Sequence, residues 1–261
     1  MLQLSNSGPE ERASFARVDK LKHVLPAKIV GMATHYSPPA FLFDLDGTLI
    51  DSVYQHVLAW REALEQTGME LSVWRIHRRI GMSGGLFVNA LMREVGGDVT
   101  IVDSEKLQQV HGEAFKKLVS QVRPLPGARD LLNALAAEKV PHAIATSGRL
   151  DTAHLSLEML GVSPDLPVIT RDLVRYAKPD PDLFLAAADR LGVPIERCVV
   201  VGDSIWDLLA AQRARALGVG VLSGGYGKEE LERAGAYRVY EDPRDLLDHL
   251  DELGVRRQRA S

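Results

Sequence analysis

Two patterns of apolar and polar residues divide this chain at about residue 123. Beyond it, short apolar runs alternate with stretches whose apolar residues recur at the spacing of an amphipathic helix. Strands that alternate with helices in this way predict βαβ units and a mostly parallel sheet. The predicted strands are His142–Thr146, Val168–Thr170, Cys198–Gly202 and Gly218–Leu222, and the predicted helices are Ala128–Glu138, Thr152–Leu160, Pro181–Leu191, Trp206–Arg215 and one that follows Pro243.

Residues 39–43 form one further apolar run, which predicts a fully buried strand at the start of the sheet. The residues from 53 to 122 show no strand-like alternation and predict only helices. These helices are Val53–Gln66, Val73–Arg79, Leu86–Val95 and Asp103–Val122, with the glycine-rich break Gly81–Gly85 between the second and the third. The predicted fold class is α/β, a doubly wound Rossmann-like parallel sheet core with an inserted all-helical cap domain.

The same patterns predict the domain boundaries. We expect residues 39–52 and 123–261 to form the core and residues 53–122 to form the cap, because a proline-rich stretch at 123–128 marks the return to the core. Residues 1–38 differ from the rest, since a turn-like start and a mixed-charge stretch end in prolines that forbid continued helix. We expect a partly disordered N-terminal extension, and Met32 is an alternative start.

The composition is that of an ordinary globular protein, with 46% apolar and 25% charged residues among 261. The formal charge of −4 argues against a nucleic-acid-binding surface, and no apolar run approaches the roughly 20 residues that would span a membrane. Cys198 is the only cysteine, so no intramolecular disulfide can form, which fits a reducing cytoplasm. The eight histidines show no metal-ligand spacing, and none is expected to bind a metal.

Two carboxylates follow the first predicted strand directly. Asp44 and Asp46 cannot stay inside a sheet, because burial of unpaired carboxylates is very costly, so they should emerge at its carboxyl end. Alternation along an extended chain points both to the same side, and Gly47 lets the backbone turn away at once. Two like charges held so close favour a cation between them, and hard oxygen ligands suit Mg²⁺. A pair of this kind is also common without a metal.

Polar residues follow three later strands as well. They are Thr146, Ser147 and Gly148 after one strand, Lys178 after the next, and Asp203 and Asp207 after the third. Hydroxyls and backbone N–H groups before a helix can bind phosphate oxygens, but they can equally serve as N-caps. The lysine could neutralise a phosphoryl group or lie in a solvated loop. Asp207 could be no more than a charge at a helix N-terminus.

Taken in order, the motifs FDLDGTL, TSG, KPDP and GDSIWD resemble all four motifs of the haloacid dehalogenase-like (HAD) hydrolase superfamily. The chain is similar to subfamily I of that superfamily, which carries a helical C1 cap, and the resemblance covers about Pro39 to Leu253. It implies that Asp44 is the nucleophile that forms an aspartyl-phosphate, and that Asp46 is the general acid and then the general base. It implies further that residues 146–148 bind phosphoryl oxygens, and that Lys178 neutralises charge in the transition state.

The resemblance also implies a metal site. Asp44, the backbone carbonyl of Asp46, and Asp203 would hold Mg²⁺, with Asp207 supporting them by hydrogen bonds. An acid at position 46 is typical of the phosphoryl-transfer enzymes of this superfamily and not of its dehalogenating branch. We therefore expect a phosphatase acting on a small phosphorylated metabolite, as a monomer or weak homodimer that binds neither nucleic acid nor a membrane.

The sequence does not decide between a sugar phosphate and phosphoglycolate as the substrate. Arg79, Ser83 and Gly84 lie where C1-cap relatives keep a substrate-specificity loop, and are candidate substrate contacts. β-Phosphoglucomutase-like members tend to carry an arginine where Gly84 stands, which weakens the alternative of a sugar phosphomutase. Phosphoglycolate phosphatases usually have asparagine and lysine where Ser147 and Gly148 stand. A sugar phosphate and phosphoglycolate both remain expected substrates.

Overall fold

The computed structural model describes residues 38–94 and 104–255. The predictions for residues 1–37, including the alternative start at Met32, lie outside this range. Among the described residues, no helix combines the length and the apolar character that crossing a membrane requires.

A parallel sheet forms the centre of the fold. In chain order the strands are β1 (Ala40–Phe43), β2 (Ile50–Asp51), β3 (Arg123–Pro124), β4 (His142–Ala145), β5 (Val168–Ile169), β6 (Cys198–Gly202), β7 (Leu217–Val221) and β8 (Arg238–Tyr240). Six of them make one sheet in the order β5-β4-β1-β6-β7-β8, and each neighbouring pair is parallel. The predicted parallel sheet is confirmed, with β1 near its middle.

The helices follow the predicted pattern with few exceptions. They are α1 (Val53–Glu65), α2 (Val73–His77), α3 (Gly84–Glu94), α4 (Ser104–Leu118), α5 (Ala128–Ala137), α6 (Leu150–Leu160), α7 (Asp182–Leu191), α8 (Ile205–Ala214), α9 (Lys228–Arg233) and α10 (Pro243–Asp248). The predicted glycine-rich break is too long, because Gly84 and Gly85 form the first turn of α3. Two short elements, α9 and the edge strand β8, were not predicted. Each has too few buried residues to leave a periodic pattern.

The sheet is covered by helices on both faces, as expected for a doubly wound fold. Alternate residues of β1 point to opposite faces. Phe41 and Phe43 pack with apolar residues of α5, α6 and α10, whereas Ala40 and Leu42 pack with those of α7 and α8. All of β1 is buried, which explains why its polar continuation must leave the sheet at the carboxyl end.

The helices between β2 and β3 have an apolar cluster of their own. Its buried members include Trp60 from α1, Ile76 from α2, Phe87 from α3 and Leu107 from α4. The chain enters and leaves this helical segment through β2 and β3, which pair as a short antiparallel ribbon that was not predicted. The arrangement agrees with a Rossmann-like core plus a helical cap, while the boundaries at 52/53 and 122/123 stay a prediction.

Candidate active site

The polar residues that follow four strands meet at the carboxyl edge of the sheet. Asp44 follows β1, Thr146 follows β4 and Asp203 follows β6, and these three strands are neighbours. Lys178 comes from the loop between β5 and α7, and its amino group forms an ion pair with Asp44. Parallel strands bring their carboxyl ends to one edge, so motifs far apart in sequence form one site.

Lys178 lies at the centre of a buried group of charges. Its side chain is 0% exposed, and besides Asp44 its Nζ lies 2.8 Å from Asp207 Oδ1. Carboxylate oxygens of Asp44, Asp203 and Asp207 all lie within 4.8 Å of one another. Three carboxylates are therefore grouped near one ammonium group, so the negative charge exceeds the positive charge among four buried residues.

The pKa values reflect this imbalance. Burial raises the pKa of Asp44 to about 7; Lys178 lowers it and the negative Asp207 raises it. Burial also raises the pKa of Asp203 well above its ordinary value, and Asp207 and Asp44 raise it further. Burial alone would lower the pKa of Lys178, but Asp207 and Asp44 outweigh that effect and raise it, so the lysine stays charged. A divalent cation beside Asp44 and Asp203 would relieve the repulsion between them.

Asp203 is held by contacts on several sides. Thr48 donates a hydrogen bond from its hydroxyl to Asp203 Oδ1 at 2.9 Å. Gly47 and Gly224 leave room for the carboxylate, since a Cβ atom on them would lie 2.5 Å and 1.7 Å from Asp203 Oδ2. The Gly47 backbone has a φ of +85°, a conformation that favours glycine. These contacts fix where the Asp203 carboxylate lies.

Asp207 has partners for both of its oxygens. Oδ2 accepts hydrogen bonds from the backbone N–H and the hydroxyl of Ser204, at 3.1 and 2.5 Å, which caps the start of α8. Oδ1 is paired with Lys178. Asp207 therefore takes part in the capping box at the start of α8 and also pairs with the central lysine, so it is more than a charge at a helix N-terminus.

Asp46 lies beside Asp44 in a different environment. Its Oδ1 accepts a hydrogen bond from the Ser52 hydroxyl at 2.6 Å and lies 3.3 Å from His56 Nε2. Burial alone would raise the pKa of Asp46, but the His56 imidazole and the hydrogen bonds from His56 and Ser52 outweigh that effect and lower it. The two aspartates of one motif thus titrate in opposite directions from their ordinary values.

His56, which lies beside Asp46, contacts a second histidine, and neither was a predicted site residue. His56 Nδ1 lies 3.2 Å from His111 Nε2, and the His56 ring stacks on Phe115 with ring centres 3.9 Å apart. Burial, together with the charge of His56, holds the pKa of His111 well below its ordinary value. Metal-ligand spacing does not reveal this contact, but the position of His56 in the first turn of α1, directly after the Asp46 motif, is a signal that could have done so.

The predicted phosphate-binding residues form a tight loop before α6. The backbone N–H of Gly148 donates to Thr146 Oγ1 at 3.0 Å, and α6 begins only at Leu150 without a side-chain cap. The alternative of a simple N-cap is therefore not what the loop forms. The Ser147 hydroxyl donates to the carbonyl of Gly81 at 3.0 Å, which ties this loop to the helical segment.

A cavity of about 660 Å³ connects these residues with the helical segment. Its core end is lined by Asp44, Asp46, Thr146, Ser147 and Gly148, and its cap end by Trp60, Gly84, Phe87, Gln108 and His111. Among the predicted substrate contacts, Arg79 and Gly84 line this cavity. Ser83 is buried, and its backbone N–H donates to the carbonyl of Lys178 at 3.1 Å.

The segment between α2 and α3 is also fastened to the loop after β7. The carbonyl of Arg78 accepts hydrogen bonds from Tyr226 Oη at 2.8 Å and from Trp206 Nε1 at 3.3 Å. The Arg78 guanidinium stacks over the Tyr226 ring at 4.1 Å and pairs with Glu230. The two sides of the cavity are thus held together by polar contacts at its edge.

Comparison with known proteins places the chain in a family. Residues 38–215 match the model for haloacid dehalogenase-like hydrolases. The chain is 31% identical to a phosphoglycolate phosphatase of Rhodospirillum rubrum, covering 82% of this chain and 91% of that protein. It is 29% identical to the β-phosphoglucomutase of Bacillus subtilis, covering 71% and 84%.

A solved structure gives the same result. A hydrolase from Pseudomonas syringae is 55% identical, with a TM-score of 0.81 over 83% of this chain and 100% of that one. The family match spans β1 through α8, and so includes all four of the motifs that meet at the sheet edge. The chain belongs to the haloacid dehalogenase-like hydrolase family.

Proposed function

We propose that this chain is a Mg²⁺-dependent phosphatase that hydrolyses a small phosphomonoester through an aspartyl-phosphate formed on Asp44. The observation that carries the proposal is the buried ion pair of Lys178 with Asp44 at the core end of an open cavity. The family and the phosphatase names among its relatives support a phosphoric monoester hydrolase.

In the first step, an oxygen of Asp44 attacks phosphorus and the bond from phosphorus to the substrate's alcohol oxygen breaks. Lys178, which is charged and 0% exposed, offsets the negative charge on the phosphoryl oxygens at no cost in reorganisation. Thr146 and the backbone of the 146–148 loop bind those oxygens. The cavity opens toward the helical segment, which leaves space for the departing alcohol.

Asp46 acts as the general acid in the first step and as the general base in the second. The carboxyl group of Asp46 gives its proton to the leaving alcohol, and the resulting carboxylate then takes a proton from the water that attacks the aspartyl-phosphate. This releases inorganic phosphate and regenerates Asp44. The lowered pKa of Asp46 suits the second step. Arrival of the substrate's negative phosphate raises the Asp46 pKa and so favours the protonated form that the first step requires.

The donor set fits a hard divalent cation. Asp44, Asp203 and the backbone carbonyl of Asp46 would hold Mg²⁺, because they offer oxygen ligands and the raised pKa values of both carboxylates mark uncompensated negative charge. Asp207 would support the site from behind, since its oxygens bond Ser204 and Lys178. The bound ion would supply positive charge to the phosphoryl oxygens.

The proposed substrate is a small phosphorylated metabolite of the sugar phosphate or phosphoglycolate class, in line with the activity named for the Rhodospirillum rubrum relative. We propose the cytoplasm as the compartment, because the single Cys198 is buried and unpaired. A sugar phosphomutase is the alternative, and similarity to a β-phosphoglucomutase is its support. The lack of a side chain at Gly84 speaks against it.

Phosphate release from a panel of small phosphomonoesters tests the proposal, with Mg²⁺ and with chelator, for the wild type and Asp44→Asn. We expect release that needs the metal and is lost in Asp44→Asn. Metal-dependent release that survives Asp44→Asn would contradict the mechanism. Conversion of a sugar phosphate into its isomer, with little free phosphate, would favour the mutase.

A further inference from the structure

We propose that Gln108, in the space left by the missing side chain of Gly84, selects a leaving group that carries hydroxyls over one that carries a carboxylate. Sugar or polyol phosphates would then be preferred to phosphoglycolate. The inference rests on the proposed phosphatase function and narrows its substrate class.

Gly84, in the first turn of α3, and Gln108, in α4, pack directly against each other in the wall of the cavity at its cap end. A Cβ atom on residue 84 would lie 2.6 Å from Gln108 Oε1 and 2.8 Å from its Cδ. Any larger residue at position 84 would therefore displace the amide. The Gln108 amide therefore fills the part of the cavity wall that a side chain at position 84 would otherwise occupy.

The orientation of the Gln108 amide follows from its own contacts. Nε2 donates to the carbonyl of Ser104 at 3.0 Å and to the Ser104 hydroxyl at 3.2 Å. Since a carbonyl accepts and cannot donate, this contact fixes which end of the amide is nitrogen. Oε1 is left as an acceptor at the wall, and within residues 38–94 and 104–255 no donor bonds to it. An acceptor favours a ligand hydroxyl, whereas a carboxylate has no proton to offer it.

Three further residues of the cap end, Trp60, Phe87 and His111, are aromatic. The ring of Trp60 stacks on Phe87 and on His111, with ring centres 4.2 and 4.1 Å apart. His111 is neutral, because burial holds its pKa well below the ordinary value. Pockets that combine aromatic walls with a few directed polar groups suit ligands with an apolar carbon frame and specific hydroxyls. Such a wall gives a carboxylate no partner.

Charged side chains other than Asp44 and Asp46 also line the cavity, and their signs balance. The cations are Arg79, Lys116 and Arg149, and the carboxylates are Glu105, Glu113 and Asp151. Arg149 lies 3.4 Å from Asp172 and 4.0 Å from Asp151 and is 63% exposed, while Arg79 donates to the carbonyl of Arg75. Capture of a carboxylate usually takes a directed cation. With three carboxylates beside three cations, these charged residues together give phosphoglycolate no net electrostatic advantage over a neutral substrate.

The test compares kcat/KM for three esters: a hexitol phosphate, phosphoglycolate and p-nitrophenyl phosphate, which has no hydroxyl to bind. The variants are Gln108→Met, which keeps the size of the side chain and removes the acceptor, and Gly84→Ala, which pushes the amide aside. Gln66→Met is the matched control, since Gln66 is an exposed glutamine of the same helical segment. Unfolding temperatures are measured for every variant.

We expect the wild type to prefer the hexitol phosphate. Gln108→Met should lower kcat/KM for that ester about 10-fold more than for p-nitrophenyl phosphate, as the loss of one hydrogen bond to a substrate hydroxyl predicts. Gly84→Ala should change the same ratio in the same direction, and Gln66→Met should leave it unchanged. Because a ratio between two esters is compared, a general loss of folded protein cannot imitate the result.

The experiment distinguishes failure of this inference from failure of the proposed phosphatase function. A wild type that hydrolyses phosphoglycolate best, or a Gln108→Met variant that loses all three esters equally, would overturn this inference and leave the phosphatase intact. No Asp44-dependent release from any of the three esters would overturn the proposed function, and the inference with it.

Discussion

The two ends of the cavity differ in burial and in charge. At the core end, Lys178 and Asp207 are fully buried, and the Lys178 amino group and both Asp207 oxygens have fixed partners. At the cap end, Gln108 is half-exposed, and one atom of its amide is left for a ligand. A buried charge cluster cannot lose a member cheaply, whereas a half-exposed neutral wall can change one residue at little cost. We therefore expect substitutions at the core end to remove the proposed activity, and substitutions at the cap end to change the choice of substrate.

The largest effect should follow from removal of the central cation. Lys178→Met would leave three buried carboxylates together without a cation, at a cost of about 3–5 kcal/mol in the free energy of unfolding. We also expect a loss of about 10²–10³-fold or more in kcat. Denaturant unfolding and phosphate release measure the two effects.

Lys117→Met is the matched control for that variant. Lys117 pairs with Glu62 at 2.6 Å on the surface, with its side chain 65% exposed. A pair of this kind contributes about 0–1 kcal/mol. Equal destabilisation by both substitutions would contradict the claim that the buried charge cluster contributes more to stability than a surface ion pair.

The next largest effect should depend on the leaving group. Asp46→Asn removes the proposed proton donor, and we expect a loss of about 10²–10⁴-fold with alkyl phosphates. The loss should be smaller with p-nitrophenyl phosphate, because its leaving group departs without a proton. Asp51→Asn, at an exposed carboxylate in the same stretch, serves as the control. Equal losses for both kinds of ester would refute the role of Asp46 as the acid.

Without metal, the carboxylates at the core end should make the free energy of unfolding depend on pH. The pKa of Asp44 is raised to about 7 and that of Asp203 well above its ordinary value, so the folded protein keeps protons that the unfolded chain releases. The free energy of unfolding that Asp44 contributes is fully present below about pH 4 and is lost as pH rises through about 7, and Asp203 contributes with the same sign. With chelator, the unfolding temperature should fall by several degrees from about pH 5 to about pH 8.

Added Mg²⁺ should counter this loss, because it binds the ionised carboxylates and thereby lowers their pKa values in the folded protein. The rise in unfolding temperature on addition of Mg²⁺ should be larger at the higher pH. A rise that is the same at both values, or absent, would remove the support for a metal at Asp44 and Asp203.

The smallest effect on kcat is expected from a substitution at His111, which connects the aromatic residues of the cap end with His56 at the core end. His111→Phe keeps a ring between Trp60 and Phe115 but removes the contact with His56, the histidine beside Asp46. Loss of one hydrogen bond of about 1 kcal/mol predicts a fall of about fivefold in kcat with alkyl phosphates, and less with p-nitrophenyl phosphate. His154→Phe, at an exposed histidine paired with Glu158, is the control. A change in KM alone would assign His111 to substrate binding only.

The core end could be predicted from sequence because its signals are local. A buried run that ends in Asp44 and Asp46 must release them at the sheet edge, and the parallel topology then brings in the ends of the other strands. The pairing of Lys178 with Asp207 as well as Asp44 was not predicted, because spacing does not show which carboxylates a lysine reaches.

The cap end could not be predicted in the same way. The contacts of His56 with His111 and of Gly84 with Gln108 join different helices, and nothing in the local pattern marks them. Gly84 itself was placed in a break between helices, although it opens α3. Helix packing decides these contacts, and periodicity alone does not determine it.

The most direct test of the central claim is an acid quench of the enzyme during turnover of a substrate that carries radiolabelled phosphate, with Mg²⁺ present. We predict a hydroxylamine-sensitive label that maps to Asp44 in the wild type and is absent from Asp44→Asn, which should also fail to release phosphate. A label on another residue, or turnover that persists in Asp44→Asn, would contradict the account.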